Sequence, residues 1–126
     1  MQFEIVISNA TDLLRVSAND IMCIEADGNY STITLNDGEK HIVLFQLGQL
    51  AHDITDQLGY DSGIFARIGR SIIINQDYIH AISVPRQQLV LRAPSGFKVT
   101  LRPSRESLRQ LKDCVESKVR KGGNYE

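Results

Sequence analysis

Residues Ile64–Asn75, Ile-Phe-Ala-Arg-Ile-Gly-Arg-Ser-Ile-Ile-Ile-Asn, read as two short strands joined by a kink. The first apolar run ends at Arg67 and Ile68. The second, Ile72-Ile73-Ile74, is a β-branched run of the kind that buries in a sheet. Gly69 inside such a pattern marks a bulge, a tight bend or a close backbone approach. Two arginines, Arg67 and Arg70, and the Ser71 hydroxyl are therefore held on a bend between stiff apolar segments. Guanidinium groups so placed suit a phosphate or a guanine edge. An ordinary hairpin with two solvated arginines gives the same pattern, and this stretch alone does not separate the two.

Working outward, the chain before this stretch alternates like a β-protein. Strands are expected over Gln2–Ser8, Leu13–Val16, Ile21–Glu25, Tyr30–Leu35 and Lys40–Phe45, with turns at Asn9–Asp12, Ser17–Asp20, Asp27–Asn29 and Asn36–Gly38. The period then changes. Leu47, Leu50, Ala51, Ile54 and Leu58 fall on one face of a helix that Gly59 stops. Beyond Asn75, strands are expected over Tyr78–Val84, Gln88–Arg92 and Phe97–Leu101, separated by Pro85-Arg86-Gln87 and by the Ala93–Gly96 loop. Ser104 is placed to cap a second helix, with Glu106 in its first turn and Leu108, Leu111 and Val115 as its buried stripe. The expected fold is mainly β: an elongated arrangement of antiparallel sheets, about nine or ten short strands in all, with one mid-chain and one C-terminal helix. Residues 1–121 are expected to form one domain and residues 122–126 a frayed tail.

The 126 residues carry a net charge of −1, but the charge is unevenly distributed. Residues 1–63 hold two basic and ten acidic residues, and residues 64–126 hold twelve basic and five acidic. Such a split points to an anionic partner for one face, or to two halves that neutralise each other. No apolar run approaches the ~20 residues of a membrane span, and the N-terminus has no basic-then-apolar leader pattern, so a cytoplasmic protein with no membrane partner is expected. Cys23, between Met22 and Ile24, is expected to be a buried thiol, and Cys23 and Cys114 are too few for a disulfide framework.

Nothing in the sequence favours an enzyme. His41, His52 and His80 stand at no metal-ligand spacing, and no nucleophile elbow, phosphate loop or zinc helix motif is present. Glu25 and Asp27 flank a turn, where two carboxylates are ordinary solvated residues. No cofactor and no small-molecule substrate is implied. A binding module fits better, because the polar and basic residues gather at turns: Asn29, Tyr30 and Ser31; Arg67, Arg70 and Ser71; Lys98, Arg102, Ser104 and Arg105. Arginine forks onto guanine or phosphate, asparagine pairs with adenine, and serine anchors phosphate. Tyr30 fits a contact with sugar or a thymine methyl, and equally a core position with its hydroxyl at the surface. Arg105, Arg109 and Lys112 form a basic stripe on the C-terminal helix that reads as a solvated face.

Two segments resemble the signatures of one family. Ile21-Met-Cys-Ile-Glu-Ala-Asp-Gly-Asn-Tyr-Ser31 is similar to the I-x-x-I-E-A-x-G-N-Y pattern of LytTR domains, and Phe65-Ala-Arg-Ile-Gly-Arg-Ser-Ile-Ile-Ile-Asn75 to their F-x-R-I-H-R-S-x-x-V-N pattern. Tyr78-Ile79 and the Leu101–Arg105 segment before a helix also fit. The resemblance implies a DNA-binding domain of bacterial transcription regulators that enters successive major grooves with loops. It implies direct-repeat promoter sites and a homodimer on DNA. By motif position the DNA contacts would lie at Asn29 and Tyr30, at Arg70 beside Arg67, and near Arg102–Arg105. Gly69 departs from the pattern, which has histidine there. The motifs start close to Met1, so either a stand-alone regulator without a receiver domain or a fragment of a longer chain is expected. The acidic first half and Gly69 support an alternative, a protein-interaction module that keeps the fold without DNA affinity.

Overall fold

A computed structural model describes residues 3–122. Ten strands form three antiparallel sheets. Strands β1 (Glu4–Ser8) and β2 (Leu13–Ser17) make a hairpin. Strands β3 (Ile21–Asp27), β4 (Tyr30–Leu35), β5 (Lys40–Val43), β6 (Phe65–Ile68) and β7 (Ile72–Asn75) make a central sheet in the order β5-β4-β3-β7-β6. Strands β8 (Ile79–Ser83), β9 (Gln88–Arg92) and β10 (Lys98–Leu101) make the third sheet, in the order β10-β9-β8. Helix α1 (Leu47–Leu58) joins β5 to β6, and α2 (Arg105–Gly122) follows β10. Helix α2 is described to Gly122, and residues 123–126, where a frayed tail is expected, lie outside the described residues.

The central sheet is a wall between two apolar cores. On one side Ile5, Ile7, Ile24, Ile33, Leu50, Ile54 and Ile73 pack together, closed by the β1–β2 hairpin and α1. On the other, Met22, Cys23, Ile68, Ile74, Leu89, Leu91, Leu108 and Leu111 pack beneath the third sheet and α2. Successive strand residues point to opposite faces, so the Ile72–Ile74 run feeds both cores at once. A register shift between Ile21 and Cys23 breaks the alternation in β3. It lets the adjacent Met22 and Cys23 both enter the second core while Ile21 and Ile24 enter the first.

Several strand limits differ from the sequence expectation, each for a local reason. Strand β3 runs on to Asp27, because Asp27 pairs with Tyr30 across a two-residue turn with Gly28 at φ +64°. Strand β5 stops at Val43, and the Phe45 carbonyl accepts a 2.8 Å hydrogen bond from the buried Ser31 hydroxyl instead of a ladder partner. Strand β8 begins at Ile79, not Tyr78, because the Asn75 side chain accepts the Asp77 N–H at 3.0 Å and winds residues 76–78 into a single tight turn. The other end of the buried Asn75 amide donates to the Ile21 carbonyl at 3.0 Å and ties β7 to the start of β3. Strand β10 begins at Lys98, since the Phe97 carbonyl accepts from the Ala93 N–H at 2.9 Å and closes the preceding loop.

Ile74 is completely buried between β3 and β6. We expect Ile74→Ala to cost about 2–5 kcal/mol in urea unfolding monitored by circular dichroism. Cys23 is also fully buried, and its thiol is pushed up to about 12 by burial first and by the neighbouring Glu25 carboxylate second. Cys114 is exposed. Thiol alkylation at pH 8 should therefore modify Cys114 in the folded protein and reach Cys23 only in denaturant, as read by mass spectrometry.

Candidate nucleic-acid interface

Strand pairing brings the separated turns of the sequence to one end of the central sheet. The β3–β4 turn carries Asn29 and Tyr30. The β6–β7 loop carries Gly69, Arg70 and Ser71. Strand β7 lies antiparallel to β3, with Glu25 opposite Ile72, and the Ala26 N–H donates to the Ser71 carbonyl at 2.8 Å. That bond puts the two turns side by side. The β6–β7 connection is a three-residue hairpin loop, since Ile68 pairs with Ile72. Gly69 takes φ +63°, which glycine adopts without strain and which histidine, the residue of the matched pattern, also visits more than most side chains do.

A continuous run of contacts extends the site in both directions. The Asn29 side-chain oxygen accepts from the Gln46 amide at 3.3 Å, where Gln46 caps the N-terminus of α1. The Arg67 guanidinium lies over the first turn of α1, 3.8 Å from where a Cβ on Gly48 would stand, and donates to the Arg70 carbonyl at 3.4 Å. A Cβ on Gly69 would stand 3.6 Å from the Ser107 hydroxyl in the first turn of α2. Ser104 caps that helix by accepting the Ser107 N–H at 3.1 Å, and its own hydroxyl donates to the Ser107 hydroxyl at 2.9 Å. Arg70, Ser71, Arg102, Ser104 and Ser107 line one open groove of about 320 Å³. Arg102 in turn donates to the Arg86 carbonyl at 3.4 Å, which adds the β8–β9 turn to the row.

The electrostatics favour an anion. Asn29, Arg67, Arg70, Ser71, Arg102, Ser104 and Arg105 are all solvent-exposed. Among the described residues the ion pairs are Arg15–Glu4, His41–Glu39, His52–Asp56 and Lys112–Glu116, so none neutralises these arginines. Both helices start at this end. Arg67 lies against the positive end of α1, and Arg105 is the first residue of α2, where a cation gains nothing from the helix dipole. Backbone N–H groups and guanidinium groups gather here, with Glu106 in the first turn of α2 as an acid among them. Asp27, next to the β3–β4 turn, is the acid nearest to it in sequence.

Two expected site residues stand apart from the row. Lys98 lies opposite Arg92, at the other end of β10 from Arg102. The preceding Phe97 ring packs against Gly38 in the turn between β4 and β5, which closes the far end of the central sheet. Tyr30 is half exposed and lines a second depression, with Leu13, Ile42, Leu44 and Phe45, between β2 and β5. Its ring therefore borders the row and is not in the groove. Sequence reasoning missed Arg86 and Gln46. Arg86 carries a signal that was readable, a cation on a Pro-containing turn. Gln46 carries none, because its partner Asn29 is 17 residues away and comes close only through the β3–β4–β5 ladder.

Comparison with known proteins identifies the family and the fold. A sequence profile of the LytTR family, described as the LytTr DNA-binding domain, matches residues 11–116. No curated protein sequence matches the chain. Among solved structures, the LytTr DNA-binding domain of a Bacillus cereus protein superposes with a TM-score of 0.60 at 17% sequence identity, over 91% of this chain and 98% of that one, and so shares the fold. With a family profile covering most of its length and this β-architecture, the chain belongs to the LytTR family of DNA-binding domains.

Proposed function

We propose that the protein is a sequence-specific double-stranded DNA binder that regulates transcription without catalysis. The observation that carries this reading is the unbroken row of exposed, unneutralised donors from Asn29 through Arg67, Arg70, Ser71 and Arg102 to Arg86. In this reading the β3–β4 turn and the β6–β7 loop enter one major groove. The Arg102–Arg105 segment and Arg86 follow the backbone toward the next. Arg70, at the tip of a loop held by two strands, reads a base edge, while Arg67, Arg86, Arg102 and Arg105 neutralise phosphates. Ser71 and the α2 N-terminus capped by Ser104 offer hydroxyl and backbone donors to a phosphate. Tyr30 packs on a sugar or a thymine methyl at the border. Lys98 is left outside the contact surface. Head-to-tail copies on direct-repeat promoter sites complete the proposal, with a homodimer forming on DNA.

One observation favours a second reading, a protein-interaction module. Leu13, Ile42 and Leu44 are 67%, 71% and 56% exposed beside the outer edge of the central sheet at β5. Apolar groups gathered at a free sheet edge suit a protein partner. The two readings separate by variant. Under the first, Arg70→Ala weakens binding and Ile42→Lys leaves DNA affinity unchanged. Under the second, Ile42→Lys abolishes capture of a protein partner and no duplex is bound.

Duplexes selected from a random library, followed by fluorescence anisotropy, test the first reading. We expect Arg70→Ala to cost about 1–3 kcal/mol on the selected site and to relax preference at one base position. Arg86→Ala should weaken selected and unrelated duplexes by the same factor, as a phosphate contact does. Raising salt from about 50 to 200 mM should lower affinity by about two orders of magnitude, the slope expected for about four neutralised phosphates. Salt-insensitive binding, or an Arg70→Ala variant equal to the parent, contradicts the reading.

A further inference from the structure

We propose that Gln46 is a positioning residue that sets which base edge Asn29 reads. This rests on the DNA-binding reading above and deepens it. Gln46 lies just before α1 and forms a reciprocal capping box with Gln49. Its backbone N–H donates to the Gln49 side-chain oxygen at 3.1 Å, and its own side chain accepts from the Gln49 backbone N–H. An amide accepts only through oxygen, so this bond commits the Gln46 oxygen to the helix and leaves its nitrogen to face outward. That nitrogen donates to the Asn29 side chain at 3.3 Å. Asn29 must therefore turn its oxygen toward Gln46, and its own NH₂ faces the solvent at the edge of the row.

The consequence is chemical. A free asparagine pairs with adenine by donating to N7 and accepting from N6, which needs its oxygen and its nitrogen on the same outward edge. With its oxygen turned toward Gln46, Asn29 presents its NH₂ donors outward. Donors match the O6 and N7 of guanine, the N7 of adenine and the O4 of thymine, and they meet only another donor at cytosine N4. The nearby Arg67 guanidinium adds further donors and no acceptor. The corner of the site built by the β3–β4 turn and α1 is thus set to discriminate against cytosine at one position.

The cap also supplies a way to reverse the amide. In Gln46→Glu, one carboxylate oxygen keeps the bond to the Gln49 N–H and the other accepts from Asn29, so the Asn29 amide turns over and presents its oxygen outward. In Gln46→Leu the Asn29 amide is released. The test compares parent, Gln46→Glu, Gln46→Leu and Asn29→Ala by library selection and by competition between duplexes differing at one position. It reads the ratio of affinities, so the added charge of the Glu variant cancels. Circular dichroism and thermal melting confirm that all four are folded. The expected result is a discrimination against cytosine of about fivefold in the parent at the position that Asn29→Ala flattens, loss of that discrimination in Gln46→Leu, and a swing toward cytosine in Gln46→Glu. If Asn29→Ala flattens one position and both Gln46 variants keep the parent's preference there, Gln46 has no positioning role. If Asn29→Ala changes no position, Asn29 does not read a base and the inference falls with it. A parent that binds no duplex overturns the DNA-binding reading itself.

Discussion

The pairing of β3 with β7 is the constraint on which the site depends. Cys23, Ile24 and Glu25 lie opposite Ile74, Ile73 and Ile72, and one further backbone bond joins Ala26 to Ser71. These strands are separated in sequence by three other strands and a helix. Only the ladder places the Asn29 turn beside the Arg70 loop. The ladder is hard to shift, because each isoleucine of β7 is assigned to one of two cores. A slip of one residue would exchange the faces of all three. The same pattern that buries the strand therefore fixes the distance between two exposed turns.

Rigid strands below and exposed arginines above divide the work between stability and recognition. The third sheet is attached through Met22, Cys23, Ile68 and Ile74 to Leu89, Leu91 and Leu108, so Arg102 and Arg86 are held by the second core and not by polar contacts with the first loop. The first core does the same for the α1 end of the row through Leu47, Leu50 and Ile54. Each half of the row is anchored to a different face of one sheet. Glu4, Glu39 and Asp56 pair with Arg15, His41 and His52, all from the first half of the chain. Among the described residues, Arg67, Arg70, Arg86, Arg102 and Arg105 have no carboxylate ion-pair partner.

Much of this was legible before any coordinates. The Ile72–Ile74 run, the Asn36-Asp37-Gly38 turn, the Leu47–Leu58 stripe and the Ser104 cap are local signals, and each appears where its chemistry dictates. Strand ends at Val43 and Ile79 were not legible, because they are decided by side chains that take backbone partners, Ser31 from 14 residues away and Asn75 within its own turn. The β3 register shift was hidden for a similar reason: four apolar residues in a row cannot show which two share a face. In the candidate site, the motifs located two turns and the end of β10. Topology then decided what sequence order could not, separating Lys98 from Arg102 along one strand and bringing in Gln46 and Arg86.

The central claim, that remote turns act as one continuous surface, is tested most directly by an amide nuclear magnetic resonance titration of the protein with a selected duplex. The account predicts that residues 28–31, 69–72, 86–87 and 102–105 shift together with a single saturation curve, while residues 93–98 and the C-terminal half of α1 stay still. Shifts centred on residues 93–98, or separate saturation curves for the 28–31 and 102–105 segments, would contradict it.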